Sequence, residues 1–279
     1  MREIFRRLSP AAPFFPEQLV SIQSGPDSMV RHVWQTAAVC LAKAAPHPLR
    51  ILEIGSWAGH STLTWAEALG KFERDGTILC VDPWGRYLAP ADLTAGNPTY
   101  QAMDAAVDLD LIYGLFLHNV GFADKRARVD HIRGRFADVA PYLADAQFDI
   151  VYIDGSHYYA DVVQDIAAAR RLVRDGGFVC GDDLEHQLAD LDADHVRRNL
   201  AKDFVTDRKG RGFHPGVTMA VAEAFGAVAD YSGFWIMRRV GGAFQKVELD
   251  KAQVFIPSHL REQDKHAVYA WMKQSGIFD

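Results

Sequence analysis

Short apolar runs that alternate with amphipathic stretches dominate the chain from residue 49 onward. Five runs have the length and apolar character of buried strands, at residues 50–55, 77–82, 127–132, 148–154 and 177–182. Helical patterns follow four of them, at residues 61–69, 136–143, 159–173 and 188–203. Strands that alternate with helices build βαβ units. The pattern therefore predicts a doubly wound, Rossmann-like α/β fold around a mainly parallel sheet.

The end of the predicted sheet has a different pattern. Residues 226–231, 233–240 and 243–249 read as closely spaced strands, and Gly241-Gly242 between the last two is a hairpin signal. We therefore expect a seven-stranded sheet that ends in an antiparallel hairpin.

The rest of the chain is organised around this sheet. Residues 1–48 are expected to be a helical N-terminal extension, and residues 250–279 a helical tail. Within the main domain, residues 49–249, the interval of about 83–126 is too long and too helical for a bare loop. It predicts an inserted helical lid.

Two helical segments with apolar faces allow two interpretations. They lie at residues 30–43 and 267–273. Apolar faces of this kind pack either on a neighbouring subunit, which would give a homo-oligomer, or on the sheet of their own chain.

Composition excludes some classes of partner. A net charge of −6 argues against nucleic acid, which needs a basic face. The apolar runs are interrupted by charge before the roughly 20 residues that cross a bilayer, and the start of the chain does not read as a secretory signal. Cys40, Cys80 and Cys180 are too sparse for a disulfide framework and fit buried free thiols. We expect a cytoplasmic protein without nucleic-acid or membrane partners.

The first strand runs into a glycine-containing turn, Glu53-x-Gly55-x-x-x-Gly59, and then into a helix. Glycine lets the backbone turn tightly, and the helix presents free N–H groups to the crevice where ligands of such sheets bind. A dinucleotide site would have glycine where Glu53 stands, so no pyrophosphate cradle is predicted. Either the acidic group binds a cationic aminoacid group, or the glycines only shape a turn.

Two further strand ends extend this candidate site. Asp82 ends the second strand, where a carboxylate either accepts hydrogen bonds from ribose hydroxyls or forms a turn. Its combination with the glycine turn favours ribose. Arg135 and Phe136 follow the third strand and are placed beside a base, although Phe136 suits the core equally well.

Four segments carry a family resemblance, at residues 81–84, 152–157, 181–183 and 214–217. With the glycine turn, they resemble class I S-adenosylmethionine-dependent methyltransferases over residues 49–249. The nearer resemblance is to the macrocin O-methyltransferase group, with cephalosporin-hydroxylase-like proteins as relatives. It implies that S-adenosyl-L-methionine is held by Glu53, Gly55, Ser56, Gly59, Ser61, Thr62, Asp82, Arg135 and Phe136.

Three carboxylates are predicted to meet at one edge of the sheet. Asp154 ends the fourth strand, and Asp182 and Asp183 end the fifth. They would repel one another unless a cation or protons neutralised them, and hard oxygen ligands suit Mg²⁺ or another divalent cation. The alternative is that Asp182 and Asp183 cap the next helix. The resemblance to metal-dependent O-methyltransferases, including the catechol enzymes, favours the metal.

The candidate catalytic residues are Asp154, His157 and His214. His157 stands three residues after Asp154, where catechol-type enzymes have a lysine base. It is either a general base or a hydrogen-bonded structural histidine. His214, beside Pro215 and Gly216, is the second candidate base.

The predicted function is methyl transfer to a hydroxyl of a small molecule, which the resemblance suggests is a sugar on a glycosylated natural product. One alternative is a metal-dependent, hydroxylase-like enzyme. The sequence shows no clear set of two histidines and one carboxylate, which argues against it. The other alternative is a cofactor-binding protein without catalysis.

Overall fold

The structure, a computed structural model, describes residues 1–15 and 26–277. Its strands, in chain order, are β1 (Leu49–Ile54), β2 (Gly76–Asp82), β3 (Ala127–Arg133), β4 (Phe148–Ile153), β5 (Val173–Gly181), β6 (Val205–Thr206), β7 (Gly212–Phe213), β8 (Ala229–Tyr231), β9 (Phe234–Val240) and β10 (Ala243–Lys246).

The main sheet confirms the predicted α/β class. Seven strands follow the order β10-β9-β5-β4-β1-β2-β3, and β8 adds an eighth strand by pairing with β9. The strands from β3 to β5 are parallel, whereas β9 runs antiparallel to β5 and forms a hairpin with β10 around Gly241 and Gly242. Strands β6 and β7 form a separate two-stranded sheet.

The helices are α1 (Arg2–Leu8), α2 (Pro26–Ala42), α3 (His60–Lys71), α4 (Pro90–Thr94), α5 (Pro98–Asp108), α6 (Leu111–Asn119), α7 (Phe136–Val139), α8 (Tyr159–Leu172), α9 (Ala193–Arg198), α10 (Pro215–Phe225) and α11 (Glu262–Gln274). Helices α4 to α6 lie in the interval where the sequence predicts a lid, and the role of that interval stays a prediction.

One predicted helix is wrong in extent. Instead of a continuous helix over residues 188–203, the chain forms a short 3-10 turn at Leu188–Asp190 and then α9. The physical reason is Asp192, whose carboxylate accepts hydrogen bonds from the backbone N–H groups of Asp194 and His195. It thereby caps a new helix.

The two terminal helices pack on their own domain. Val33 of α2 and Val268 of α11 are fully buried, and both belong to the same apolar core as Ile51 of β1. The apolar faces of these helices therefore pack on the sheet of their own chain, and a homo-oligomer stays a prediction. The opposite face of the sheet is covered by α8 and α10.

Two observations bear on the compositional predictions. Cys40, Cys80 and Cys180 are buried, and none of them forms a disulfide. No helix within residues 1–15 and 26–277 is both long enough and apolar enough to span a membrane.

Candidate active site

A cavity of about 680 Å³ opens at the carboxyl ends of the parallel strands. Its wall includes the turn after β1, the ends of β2, β4 and β5, part of α2 and part of the interval between β2 and β3. The predicted site residues that line it are Gly55, Ser56, Ser61, Asp82, Arg135, Phe136, Asp154, His157, Asp182, Asp183 and His214.

The glycine turn is shaped by two different constraints. Gly55 has φ +82°, and a Cβ there would lie 2.0 Å from the carbonyl oxygen of Asp154. The close approach is thus to the backbone that follows β4. Gly59 has φ +89° at the start of α3, and a Cβ there would make only ordinary contacts, with Phe116 at 3.5 Å and Asn119 at 3.9 Å. Gly59 therefore allows the backbone to adopt the left-handed conformation without strain.

Glu53 lies behind the cavity wall and is not among its lining residues. The side chain is fully buried. Oε2 accepts hydrogen bonds from the hydroxyls of Ser56 (2.8 Å) and Thr62, and Oε1 has no partner among the described residues. Burial raises the pKa of Glu53, although the hydroxyls of Ser61, Thr62 and Ser56 oppose the shift. The carboxylate therefore organises the turn, and Ser56 stands between it and the cavity.

Asp82 connects the ends of β1 and β2. Its Oδ2 accepts the backbone N–H groups of Ser56 (2.8 Å) and Trp57 (3.0 Å), and its Oδ1 accepts that of Trp84 (2.5 Å). The carboxylate is a turn former, as one interpretation of the sequence had it. It also lines the cavity, and three N–H donors leave part of its acceptor capacity open for a ligand.

Arg135 and Phe136 differ in how they meet the cavity. The Arg135 side chain is 70% exposed, and its guanidinium lies 3.9 Å from the Asp161 carboxylate at the rim. Phe136 is 6% exposed and packs in the core while still lining the cavity. Phe136 is therefore a core residue that also lines the cavity, and its place beside a base stays a prediction.

Arg31 of α2 supplies a positive charge to the acidic end of the cavity. Its guanidinium lies 3.0 Å from Asp182, bonds to Asp183, and lies 2.9 Å from Glu185. Its side chain is 7% exposed. The expected repulsion among the carboxylates is therefore partly offset by a residue of the chain itself, which the sequence analysis did not consider.

Asp154 and Asp182 are both close to one buried hydroxyl. Tyr152 OH lies 3.2 Å from Asp154 Oδ2 and 3.4 Å from Asp182 Oδ2. Burial raises the pKa of Asp154 well above its ordinary value, and the charges of Asp182 and Asp183 add to the effect. Burial likewise raises the pKa of Asp182 to about 7, against the opposing charge of Arg31.

His157 bridges two carboxylates. Nε2 lies 2.9 Å from Asp183 Oδ2, and Nδ1 lies 2.9 Å from Asp203 Oδ1. Burial disfavours the charged ring, but the charges of Asp183 and Asp203 outweigh it and raise the pKa of His157 well above its ordinary value. Both nitrogens then carry protons, so this arrangement leaves no lone pair for a substrate proton. The geometry favours a structural histidine over a general base.

His214 completes the cluster from the start of α10. Its Nδ1 lies 2.9 Å from Glu185 Oε1, and its ring is 4.4 Å from that of His157. His157, Asp203 and His214 come together closely enough to hold a metal ion. The expectation that the chain lacks a set of two histidines and one carboxylate is therefore wrong. The set joins three distant positions, and only folding brings them together.

The predicted trio of aspartates is divided in the structure. Ligand atoms of Asp154, His157 and Asp183 all lie within 4.8 Å of one another and could hold a cation. Asp182 belongs to no such group among the described residues, and its Oδ1 pairs with Arg31 and with the backbone N–H of Asp183.

Arg31 and Asp203 are the main residues that sequence reasoning missed. Arg31 lies between Val30 and Val33 in an apolar helical pattern. A charged residue is rarely buried without a partner, so its place in this pattern could have indicated an ion pair. Asp203 has no comparable signal, because it lies in an irregular stretch before β6.

Comparison with known proteins gives one family match. Residues 52–184 match a family model described as a methyltransferase domain. No curated protein sequence matches the chain.

The fold is similar to several solved structures. One is CalS11, a TDP-rhamnose 3′-O-methyltransferase of calicheamicin biosynthesis, at 18% identity over 85% of this chain and 92% of that one, with a TM-score of 0.43. Another is the O-methyltransferase NovP, at 16% identity over 76% and 79%, with a TM-score of 0.47. A Corynebacterium glutamicum protein matches at 17% identity over 85% and 96%, with a TM-score of 0.45. Similarities this weak do not indicate a reaction.

Proposed function

We propose that this chain, which over residues 52–184 is a class I S-adenosylmethionine-dependent methyltransferase domain, methylates a hydroxyl group of a small molecule. One observation carries the proposal. A single cavity joins the glycine turn and Asp82 to a buried cluster of carboxylates around Asp154. A methyl donor and the group that accepts a proton can therefore face each other within one cavity.

The donor end of the cavity is prepared by the turn after β1. Bound S-adenosylmethionine supplies a methyl group that its sulfonium has already activated. In this chain Asp82 retains acceptor capacity for ribose hydroxyls while it holds the backbone of Ser56 and Trp57 in place. The N-terminus of α3 adds a positive dipole end beside Ser61, which suits a carboxylate.

Asp154 is the proposed general base. It lines the cavity, and burial raises its pKa, as do the neighbouring charges of Asp182 and Asp183. A carboxylate with a raised pKa accepts a hydroxyl proton more readily than an ordinary one. His157, fixed between Asp183 and Asp203, would hold these acidic groups in position.

A divalent cation is the second part of the proposal. Two carboxylates and an imidazole within 4.8 Å of one another would fit Mg²⁺ or Mn²⁺ once the ion displaces the proton on His157 Nε2, and the set is Asp154, His157 and Asp183. Such an ion would make an acceptor hydroxyl more acidic. Arg31 leaves this set available because its contacts are with Asp182, Glu185 and the other oxygen of Asp183.

The proposed acceptor is a sugar hydroxyl, and its source a glycosylated natural product. Support comes from the family resemblance carried by residues 81–84, 152–157, 181–183 and 214–217. Tyr87, Tyr100 and Phe204 line the same cavity and supply aromatic side chains against which a sugar could pack.

The test is methyl transfer from isotopically labelled S-adenosylmethionine to a panel of nucleotide sugars, glycosides and catechols. We expect an O-methylated product, loss of activity in a chelator and recovery with Mg²⁺. Full activity in the chelator would remove the cation from the proposal. Asp154→Asn should abolish transfer while it leaves S-adenosylhomocysteine binding largely intact. Asp138→Asn, at an exposed position outside the cavity, is the matched control.

One observation supports a second candidate function. His157, Asp203 and His214 lie close enough together to hold a metal ion, and non-haem iron oxygenases use two histidines and one carboxylate. Iron binding would require His157 to lose one of its ring protons. Oxygen consumption with a hydroxylated product and no methyl transfer would favour that function. Cofactor binding without turnover on any acceptor would instead indicate a non-catalytic protein.

A further inference from the structure

Three tyrosine hydroxyls lie near Asp203 at the acidic end of the cavity. The hydroxyl of Tyr100, on α5, donates a hydrogen bond to Asp203 Oδ2 at 2.5 Å. The hydroxyl of Tyr158 donates to Asp92 Oδ2 at 2.6 Å. The hydroxyl of Tyr87 makes no hydrogen bond with any residue in 1–15 or 26–277. Of these three tyrosines, Tyr87 is therefore the one that keeps its proton for a ligand.

The carboxylates around Tyr87 already have other donors. The ring of Tyr87 lies 6.1 Å from that of His157, and the two nitrogens of His157 contact Asp183 and Asp203 at 2.9 Å each. The second oxygen of each carboxylate is also bonded, to a guanidinium in Asp183 and to a hydroxyl in Asp203. Because Tyr87 lines the cavity, an oxygen of a bound ligand is the acceptor that remains for its hydroxyl.

Tyr87 is suited to donate a hydrogen bond and not to take up a proton. Burial raises the pKa of Tyr87 well above its ordinary value, and the charges of Asp203 and Asp183 add to the effect. The phenol therefore keeps its proton near neutral pH and acts as a donor. The proton of the reacting hydroxyl goes to Asp154 in the proposed function, so the contribution left to Tyr87 is recognition of the acceptor.

We propose that the Tyr87 hydroxyl donates a hydrogen bond to an oxygen of the acceptor other than the one that is methylated, and so decides which hydroxyl reaches the methyl donor. The inference rests on the proposed function. A hydrogen bond donated to the reacting oxygen would withdraw electron density that the attack on the methyl group needs. A second oxygen of the acceptor carries no such conflict.

The class of substrate follows from the two groups that would hold it. Ligand atoms of Asp154 and His157 lie within 4.8 Å of each other, and Tyr87 lies beside His157 on the cavity wall. One small molecule can therefore place one oxygen at Asp154 and another at Tyr87. A molecule with several hydroxyls, such as a sugar, meets this requirement, whereas a molecule with a single oxygen does not.

The experiment determines which hydroxyl is methylated. The acceptor is the nucleotide sugar or glycoside of the panel above for which the wild type has the highest kcat/KM, and the monomethylated products are assigned by NMR spectroscopy. We expect one predominant isomer from the wild type and a mixture from Tyr87→Phe. The kcat/KM of Tyr87→Phe should be lower by roughly 2-fold to 10-fold, the range of one neutral hydrogen bond. Its affinity for S-adenosylhomocysteine should equal that of the wild type.

Monodeoxy derivatives of the same acceptor identify the oxygen that Tyr87 binds. For the derivative that lacks this oxygen, the wild type and Tyr87→Phe should have the same kcat/KM, because neither can form the hydrogen bond. Tyr100→Phe removes a hydroxyl that bonds to Asp203, so any loss it causes should be the same with every derivative. Tyr142→Phe, at a position that is 88% exposed and outside the cavity, is the matched control and should behave as the wild type.

Several results would overturn the role of Tyr87. They are a mixture of isomers from the wild type, an unchanged isomer ratio in Tyr87→Phe, and a loss of kcat/KM that persists with every monodeoxy derivative. If the wild type methylates no nucleotide sugar or glycoside, the proposed acceptor itself is wrong, and this inference fails with it. A changed isomer ratio in Tyr87→Phe, together with a loss that disappears for one derivative, supports the assignment.

Discussion

Removing Arg31 is expected to destabilise the protein strongly. Arg31→Met keeps most of the aliphatic length and removes the guanidinium that contacts Asp182, Asp183 and Glu185. These three side chains are 11%, 16% and 18% exposed, so water can replace little of the lost charge. Removing one partner of a buried ion pair costs roughly 3–5 kcal/mol. We expect a loss of this size in the free energy of unfolding at pH 8.5.

The loss should depend on pH in a defined direction. Burial has already raised the pKa of Asp182 to about 7, and Arg31 opposes that rise. Without Arg31 the native state holds the Asp182 proton still more tightly than the unfolded chain does. The deficit should therefore shrink at pH 6 and grow as the pH rises through 7.

Urea denaturation at pH 6 and at pH 8.5 measures both quantities. Arg133→Met is the matched control, because Arg133 pairs with Asp110 at the surface, where the two side chains are 44% and 52% exposed. Such a pair is worth roughly 0–1 kcal/mol. The double variant Arg31→Met/Asp182→Asn should recover part of the loss. A loss at pH 8.5 no larger than that of Arg133→Met would refute the reasoning.

Three further predictions concern single residues. Gly59→Ala should lower the free energy of unfolding by roughly 1–2 kcal/mol, the cost of an alanine in the left-handed conformation. Gly55→Ala should lower it by well over that amount, because its Cβ would also lie 2.0 Å from a backbone oxygen. Urea denaturation of the two variants measures the difference. Asp82→Ala should weaken S-adenosylmethionine binding by roughly 1.5–3 kcal/mol in calorimetric titration, and unchanged affinity would contradict the ribose contact. Burial raises the pKa of Asp165 to about 7. The free energy of unfolding of the wild type should therefore fall by about 4 kcal/mol relative to that of Asp165→Asn as the pH rises from about 4 to 7. Curves of stability against pH that run parallel for the two proteins would contradict this.

Much of the fold follows from local patterns. The alternation of apolar runs and amphipathic stretches predicts a parallel sheet, and the Gly241-Gly242 pair predicts the β9–β10 hairpin, because each depends on neighbouring residues. Asp82 and Asp154 could also be assigned to the cavity from the sequence. The carboxyl ends of parallel strands meet at one edge of a sheet, whatever the side chains do.

The pairing of the charged groups was decided only by the tertiary structure. Arg31 and Asp183 lie 152 positions apart, and His157 and Asp203 lie 46 apart. No local pattern predicts that Arg31 of α2 contacts Asp183, which follows β5. Nor does one predict that His157, which has the position of a base, contacts carboxylates at both ring nitrogens. Whether a carboxylate meets a cation, a metal, a hydroxyl or a ligand depends on which groups share its buried surroundings. Those surroundings exist only after the sheet and its helices have packed.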